Sequence, residues 1–164
     1  MKSRAAVMFV VLTLFRASLA ICALAAHAQS GGEVVLHSFD SSDGGFPGAG
    51  VIQGSDGNFY GTTAGGGANN DGTVFKLTSS GTLITLYSFC SRANCADGLE
   101  PLAGVIQGSD GNFYGTTAFG GARNDGTVFK LTPSGTLTTL HSFCSKDDPR
   151  TGCLDGQTTY ASVV

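Results

Sequence analysis

The stretch Gln53-Gly-Ser-Asp-Gly-Asn-Phe-Tyr-Gly-Thr-Thr-Ala64 returns unchanged as Gln107-Gly-Ser-Asp-Gly-Asn-Phe-Tyr-Gly-Thr-Thr-Ala118. Around it, residues 43–90 align without a gap on residues 97–144 at an offset of 54, with 40 of 48 positions identical. A period of this size points to a solenoid or a propeller before any single motif is read. Partial copies flank the two whole ones. GEVVLHSF (32–39) matches TLITLYSF (82–89) and TLTTLHSF (136–143), and DGQTTYASVV (155–164) matches DGLEPLAGVI (97–106).

Turn chemistry divides each unit into four short strands. AGVIQ (49–53) runs into Ser55-Asp56-Gly57, and Asp-Gly between apolar runs is a hairpin signal that predicts positive φ at both central residues. NFYGTT (58–63) is the second strand. The following GGGANNDG (65–72) is too glycine-rich and polar to hold a ladder, whereas TVFKLT (73–78), a Ser80-Gly81 turn and TLITLYSF complete the unit. No window carries a helical period. Four antiparallel strands in about 50 residues make one blade of a β-propeller. The expected fold is therefore all-β and propeller-like, with two complete four-stranded antiparallel blades and partial flanking units. Its divisions are a partial unit 32–42, a repeat 43–96, a repeat 97–154 and a partial repeat 155–164. Two whole units are fewer than a ring needs, so the sequence predicts a truncated array or a protomer that completes itself by self-association through open blade edges.

Ahead of the repeats, Lys2 and Arg4 precede an apolar run that ends in Ala26-His27-Ala28, the small-x-small pattern of a signal-peptidase site. Residues 1–28 are expected to be an export signal, and no membrane span is expected after its removal. A retained anchor is the competing reading, weakened by Arg16 within the run. A lipoprotein site at Cys22 fits less well, because Ile21 stands where a small residue belongs. Export places the chain outside the cytoplasm, as a secreted, cell-surface or periplasmic protein.

All 25 glycines and all twelve acids follow residue 28, while three of nine bases precede it, so the remaining net charge is about −6. Nucleic acid is not an expected partner. Phosphate binding needs a clustered basic face, and the remaining bases are scattered.

Four cysteines stay with the repeats. Between the phenylalanine that closes a unit and the next Asp-Gly there are three residues after Phe39, seven after Phe89 and eleven after Phe143. Cys90 and Cys95 flank the second of these junctions and Cys144 and Cys153 the third, while the first has neither. The members of each pair come and go together, which favours Cys90 with Cys95 and Cys144 with Cys153 as disulfides in an oxidising compartment. Pairing of Cys90 with Cys144, or a four-thiolate zinc site, are the alternatives; C-x4-C with C-x8-C is poor zinc spacing.

Catalysis finds little support. His37 and His141 occupy the position that Tyr87 holds in the middle unit, so a general base is not expected there. Asp56, Asp110, Asp71, Asp125, Asp43, Asp97 and Asp155 all precede glycine, where a short polar side chain stabilises a turn. Identical copies also supply identical environments, whereas glycoside hydrolysis needs two carboxyls held in different ones. No catalytic residue and no bound cofactor are expected. Calcium stays open as an alternative, because SDGN and NNDG set oxygen ligands close together. GGGANNDG lacks the lysine and the strand-to-helix setting of a phosphate loop.

The run DGNFYGTTAGGGANNDGTVFKLTSSGTLITLYSF resembles the bacterial GloVer tandem repeat of "choice-of-anchor" surface and exported proteins. Its units read like D-G-x-x-P, G-x-D-G-x-x-Y-G-T-T, G-G and G-T-V-F-K-L. The similarity covers about residues 32–164, and Asp-Gly-x-aromatic-x-Gly-Thr is also loosely similar to the blade motif of regulator-type propellers. The resemblance implies architecture and an exported location, and no reaction.

The sequence thus predicts an exported, non-enzymatic repeat protein that serves as a surface scaffold or binding module for a glycan or a cell-surface protein. A repeated tyrosine row at Tyr60 and Tyr114 would be one glycan platform. The alternative is the accessory or sensor propeller of an extracellular hydrolase whose catalytic part lies outside this chain. Function should sit in what differs between units, namely Asn69 against Arg123, Gly65 against Phe119, and the cysteine-bearing loops.

Overall fold

A computed structural model describes residues 33–148, 152–156, 160, 161 and 163. The expected export signal lies outside the described residues. Two four-stranded antiparallel sheets dominate. The first holds β1 (Ile52–Gln53), β2 (Phe59–Thr63), β3 (Thr73–Leu77) and β4 (Leu83–Ser88) in that spatial order. The second holds β5 (Ile106–Gln107), β6 (Phe113–Thr117), β7 (Thr127–Leu131) and β8 (Leu137–Ser142), again in chain order. A small hairpin of β9 (Asp147–Asp148) and β10 (Gly152–Cys153) sits within the third junction. The all-β, blade-like reading therefore holds, and among the described residues the blades do not close a ring.

The registers of the two blades coincide position by position. Phe59 faces Leu77 and Gly61 faces Phe75, as Phe113 faces Leu131 and Gly115 faces Phe129. Each blade bulges at the same place, between Val74 and Phe75 and between Val128 and Phe129. The extra residue, Leu86 in the first blade, packs toward the second.

One detail of the hairpin departs from expectation. Gly57 and Gly111 adopt positive φ, but Asp56 and Asp110 do not. Gly57 N–H donates to Gly54 C=O and Gly54 N–H to Asn58 C=O, so a tight turn is followed by a left-handed glycine. That is the three-residue hairpin geometry, in which a single left-handed residue suffices. The aspartate is thereby left free to use its side chain.

Strands buried on both faces follow from stacking blade on blade. Alternation sends Phe59, Phe75 and Leu77 to one face, where Leu36 and Phe39 of the preceding segment cover them. It sends Tyr60 and Val74 to the other, where with Phe89 they join Val105, Phe113, Phe129, Leu131 and Leu137 of the second blade. Phe39 meets Phe75 edge-on at 5.2 Å, and Phe89 meets Phe129 at the same distance and angle. Segment 36–39 thus does for the first blade what the end of β4 does for the second. Glycine is needed at 61, since a Cβ there would lie 2.6 Å from the Phe75 ring.

Candidate binding face

Within the tyrosine row, Tyr60 is not a free platform. Tyr60 is 3% exposed and its ring lies 4.1 Å from that of Phe113 in the next blade. Its hydroxyl donates to Asp56 Oδ2 at 2.8 Å, and the same oxygen accepts from Asn58 Nδ2 at 2.7 Å and Lys76 Nζ at 2.8 Å. Asp110 repeats this with Asn112, Tyr114 and Lys130. The lysine ammonium beside Asp56 holds its carboxyl far below the usual range, helped by Asn58 and Tyr60. Burial raises the Tyr60 hydroxyl, and the neighbouring carboxylate raises it further. A calcium ion at SDGN would have to displace the Lys76 ammonium seated on the Asp56 carboxylate.

The same economy governs the junctions. Tyr87 OH donates to Asp97 Oδ2 at 2.6 Å, and Asp97 also accepts from Ser91 N–H, Ser91 Oγ and Arg92 N–H. His37 Nε2 lies 2.7 Å from Asp43 Oδ2, and His141 Nε2 lies 3.2 Å from Asp155 Oδ2. The position that alternates His, Tyr, His is therefore a donor to the aspartate that opens the next unit. The shared property is an N–H or O–H at the tip of a ring, a signal the His-to-Tyr exchange itself carries. Burial pushes the Asp97 carboxyl up, yet the bonds from Tyr87 and Ser91 outweigh it and leave the group below its ordinary value.

Cys90 pairs with Cys95 and Cys144 with Cys153. Asp71 lies beside the first pair and Asp125 beside the second, with the potential ligand atoms of each trio within 4.8 Å of one another. In each trio the two sulfurs are joined, so no thiolate is offered to a metal. The four-thiolate zinc alternative fails for the same reason.

Several residues that differ between units gather where strands two and four of each sheet end. The Gly-rich loop and the preceding junction meet there, through Gly67 N–H to Ser41 C=O in the first unit and Gly121 N–H to Cys95 C=O in the second. Bridges Gly45 to Gly65 and Leu99 to Phe119 close the patch. In the first unit Phe46, 77% exposed, lies over Gly65. In the second, Glu100 replaces Phe46 and Phe119 replaces Gly65, so each patch keeps one phenylalanine but draws it from the opposite loop. Exposed Asn69 and Arg123 stand at matching positions nearby, and Asn69 Nδ2 donates to Phe89 C=O at 2.8 Å. Arg92, on the stapled loop, donates to Leu137 C=O of the next blade at 3.0 Å.

The family model of the Gloeobacter/Verrucomicrobia repeat matches residues 23–163. The chain belongs to this family. No curated protein matches it. Among the described residues no helix is long and apolar enough to cross a membrane.

An open groove of about 550 Å³ runs between the first strands of the units, lined by Val51, Ile52, Val105, Ile106 and Tyr160 with the glycines between them. Among the described residues it is walled by aliphatic side chains and main chain, with Tyr160 the one titratable residue on it.

Proposed function

We propose that this repeat protein is an exported, non-enzymatic binding module that takes a glycan or a cell-surface protein on its loop patches. The observation that carries the reading is the retained phenylalanine on each patch, Phe46 in one unit and Phe119 in the other, beside Asn69 and Arg123. Phe46 is exposed and Phe119 half-buried, and an accessible aromatic ring suits the apolar face of a sugar. Redundant supply of the aromatic from two different loops fits a surface property better than a packing need. The disulfides fit an oxidising location, as does the apolar leader with its Ala26-His27-Ala28 site.

The polar clusters built identically in both units are internally satisfied, which leaves them to structure. Catalysis by this chain would need unlike, converging polar groups, and each cluster is instead a copy of its neighbour.

The test is titration of the full chain against a panel of bacterial surface glycans, comparing wild type with a Phe46→Ala, Phe119→Ala double variant. Binding lost in the variant at unchanged melting temperature supports the reading. Binding unaffected by the pair overturns it. Export is read separately, by fractionating cells that express the chain with Ala26 and Ala28 intact or replaced by Lys.

A further inference from the structure

The two ends of the described array are complementary to each other. On the outward face of the second blade, Tyr114, Val128 and Phe143 are half-buried and Leu140 is 52% exposed. Their counterparts on the first blade, Tyr60, Val74 and Phe89, are 3%, 0% and 0% exposed because the second blade covers them. Among the described residues the same chemistry is thus seen once covered and once more open. At the other end, the Phe59, Phe75 and Leu77 face of the first blade is covered, among the described residues outside the blade, by Leu36 and Phe39 of the segment Leu36-His37-Ser38-Phe39. That tetrapeptide recurs as Leu140-His141-Ser142-Phe143 at the end of the second blade.

We infer that a second copy of this chain docks head to tail on the open face of the second blade, its own 36–39 segment giving way to residues 140–143 of the first copy. Every contact given up is replaced by one already seen in the chain. Phe143 takes the place of Phe39 against Phe75 of the second copy, a 5.2 Å edge contact that Phe89 and Phe129 also make. His141 takes the place of His37 on Asp43 of the second copy, and it already binds an equivalent aspartate, Asp155. Tyr114 stacks on Phe59 of the second copy as Tyr60 stacks on Phe113. Thr116 Oγ1 exchanges Ala161 C=O for Ala49 C=O, as Thr62 uses Ala103. The exchange conserves contacts in kind and additionally covers Tyr114, Val128 and Leu140, so burial of apolar surface drives it. A head-to-tail contact closes into a ring when its rotation allows, and two to four copies would supply about four to eight blades. This inference is independent of what the loop patches bind.

Light scattering on the purified full-length chain across a concentration series tests it. The expected result is one discrete assembly of two to four copies, about that range being set by blade number. Leu140→Glu, placed on a half-exposed side chain, should weaken association by at least about tenfold, whereas Ile84→Glu, on the outer strand of the first blade, should not. The apolar leader is common to both variants, so it cannot produce that difference. A monomer at every concentration, or association indifferent to Leu140→Glu, overturns the inference. A geometric check uses differently tagged chains carrying Gln53→Cys or Ser109→Cys, because Ser55 N–H donates to Gln107 Oε1 at 2.8 Å across the existing interface. A short thiol cross-linker should join Ser109→Cys chains to Gln53→Cys chains. Joining of Ser109→Cys chains to one another would mean that the open face pairs with itself, and would equally overturn it.

Discussion

The hydroxyl of Tyr87 and the carboxylate of Asp97 form a 2.6 Å hydrogen bond that ties the last strand of one unit to the first turn of the next. Asp97 is fully buried, and its remaining partners are the backbone and side chain of Ser91 and the backbone of Arg92. Removing the hydroxyl with Tyr87→Phe takes one charge-assisted bond from a buried anion, at a cost of about 1.5 to 3 kcal/mol. Tyr87→His should recover part of that loss, because His37 and His141 make the corresponding contact. Urea denaturation of the three proteins measures both effects.

The same carboxylate sets an acid limb. Its folded value lies below the ordinary 3.8, so it binds its proton less readily folded than unfolded. Stability from this group is therefore fully present above that ordinary value and is lost as pH falls through it toward the folded one. Between about pH 5 and pH 2, unfolding free energy should fall more steeply for the wild type than for Asp97→Asn. Parallel curves would assign the acid sensitivity to other groups.

Much of this architecture is legible in the residues because turns repeat with their strands. Asp-Gly, Gly-Gly and Ser-Gly cut the chain where β2, β3 and β4 begin and end, and Phe59 alternates with Tyr60 onto opposite faces as the period of two requires. The paired cysteines were readable from junction length for the same reason. What stayed hidden is long-range. Lys76 reaches Asp56 from twenty residues away, across a register that sequence alone does not fix. Tyr60 looked available to a ligand because nothing in one unit reveals that Phe113 of the next lies on it. The swap of Phe46 for Phe119 becomes visible only when the loops that carry them are bridged.

The two staples should differ in consequence more than in strength. Each closes a short loop, and chain entropy assigns about 2 to 3 kcal/mol to either. Cys90–Cys95 additionally holds Arg92, which reaches Leu137 C=O of the second blade. Cys144–Cys153 closes a loop that carries its own hairpin. Replacing Cys90 and Cys95 by serine is expected to lower the melting temperature and to raise amide exchange in β8 near Leu137. Replacing Cys144 and Cys153 is expected to lower the melting temperature while leaving exchange at Leu137 unchanged. Hydrogen exchange read by mass spectrometry separates the two.

Glycine at the centre of the second strand is a tight constraint on the contact between blades. A Cβ at position 115 would stand 2.6 Å from Phe129 Cζ and 3.2 Å from Val105 Cγ1. Phe129 is fully buried and already meets Phe89 edge-on at 5.2 Å, so its ring cannot retreat without opening the contact between blades. Overpacking of this kind costs about 1 to 3 kcal/mol. Gly115→Ala should therefore destabilise the chain within that range. Gly115→Ala combined with Phe129→Leu should lose less than the sum of the two single changes, because the shorter side chain vacates the volume that the methyl group takes. Additive losses in a denaturation cycle would mean that the methyl group is accommodated elsewhere, by movement of Val105.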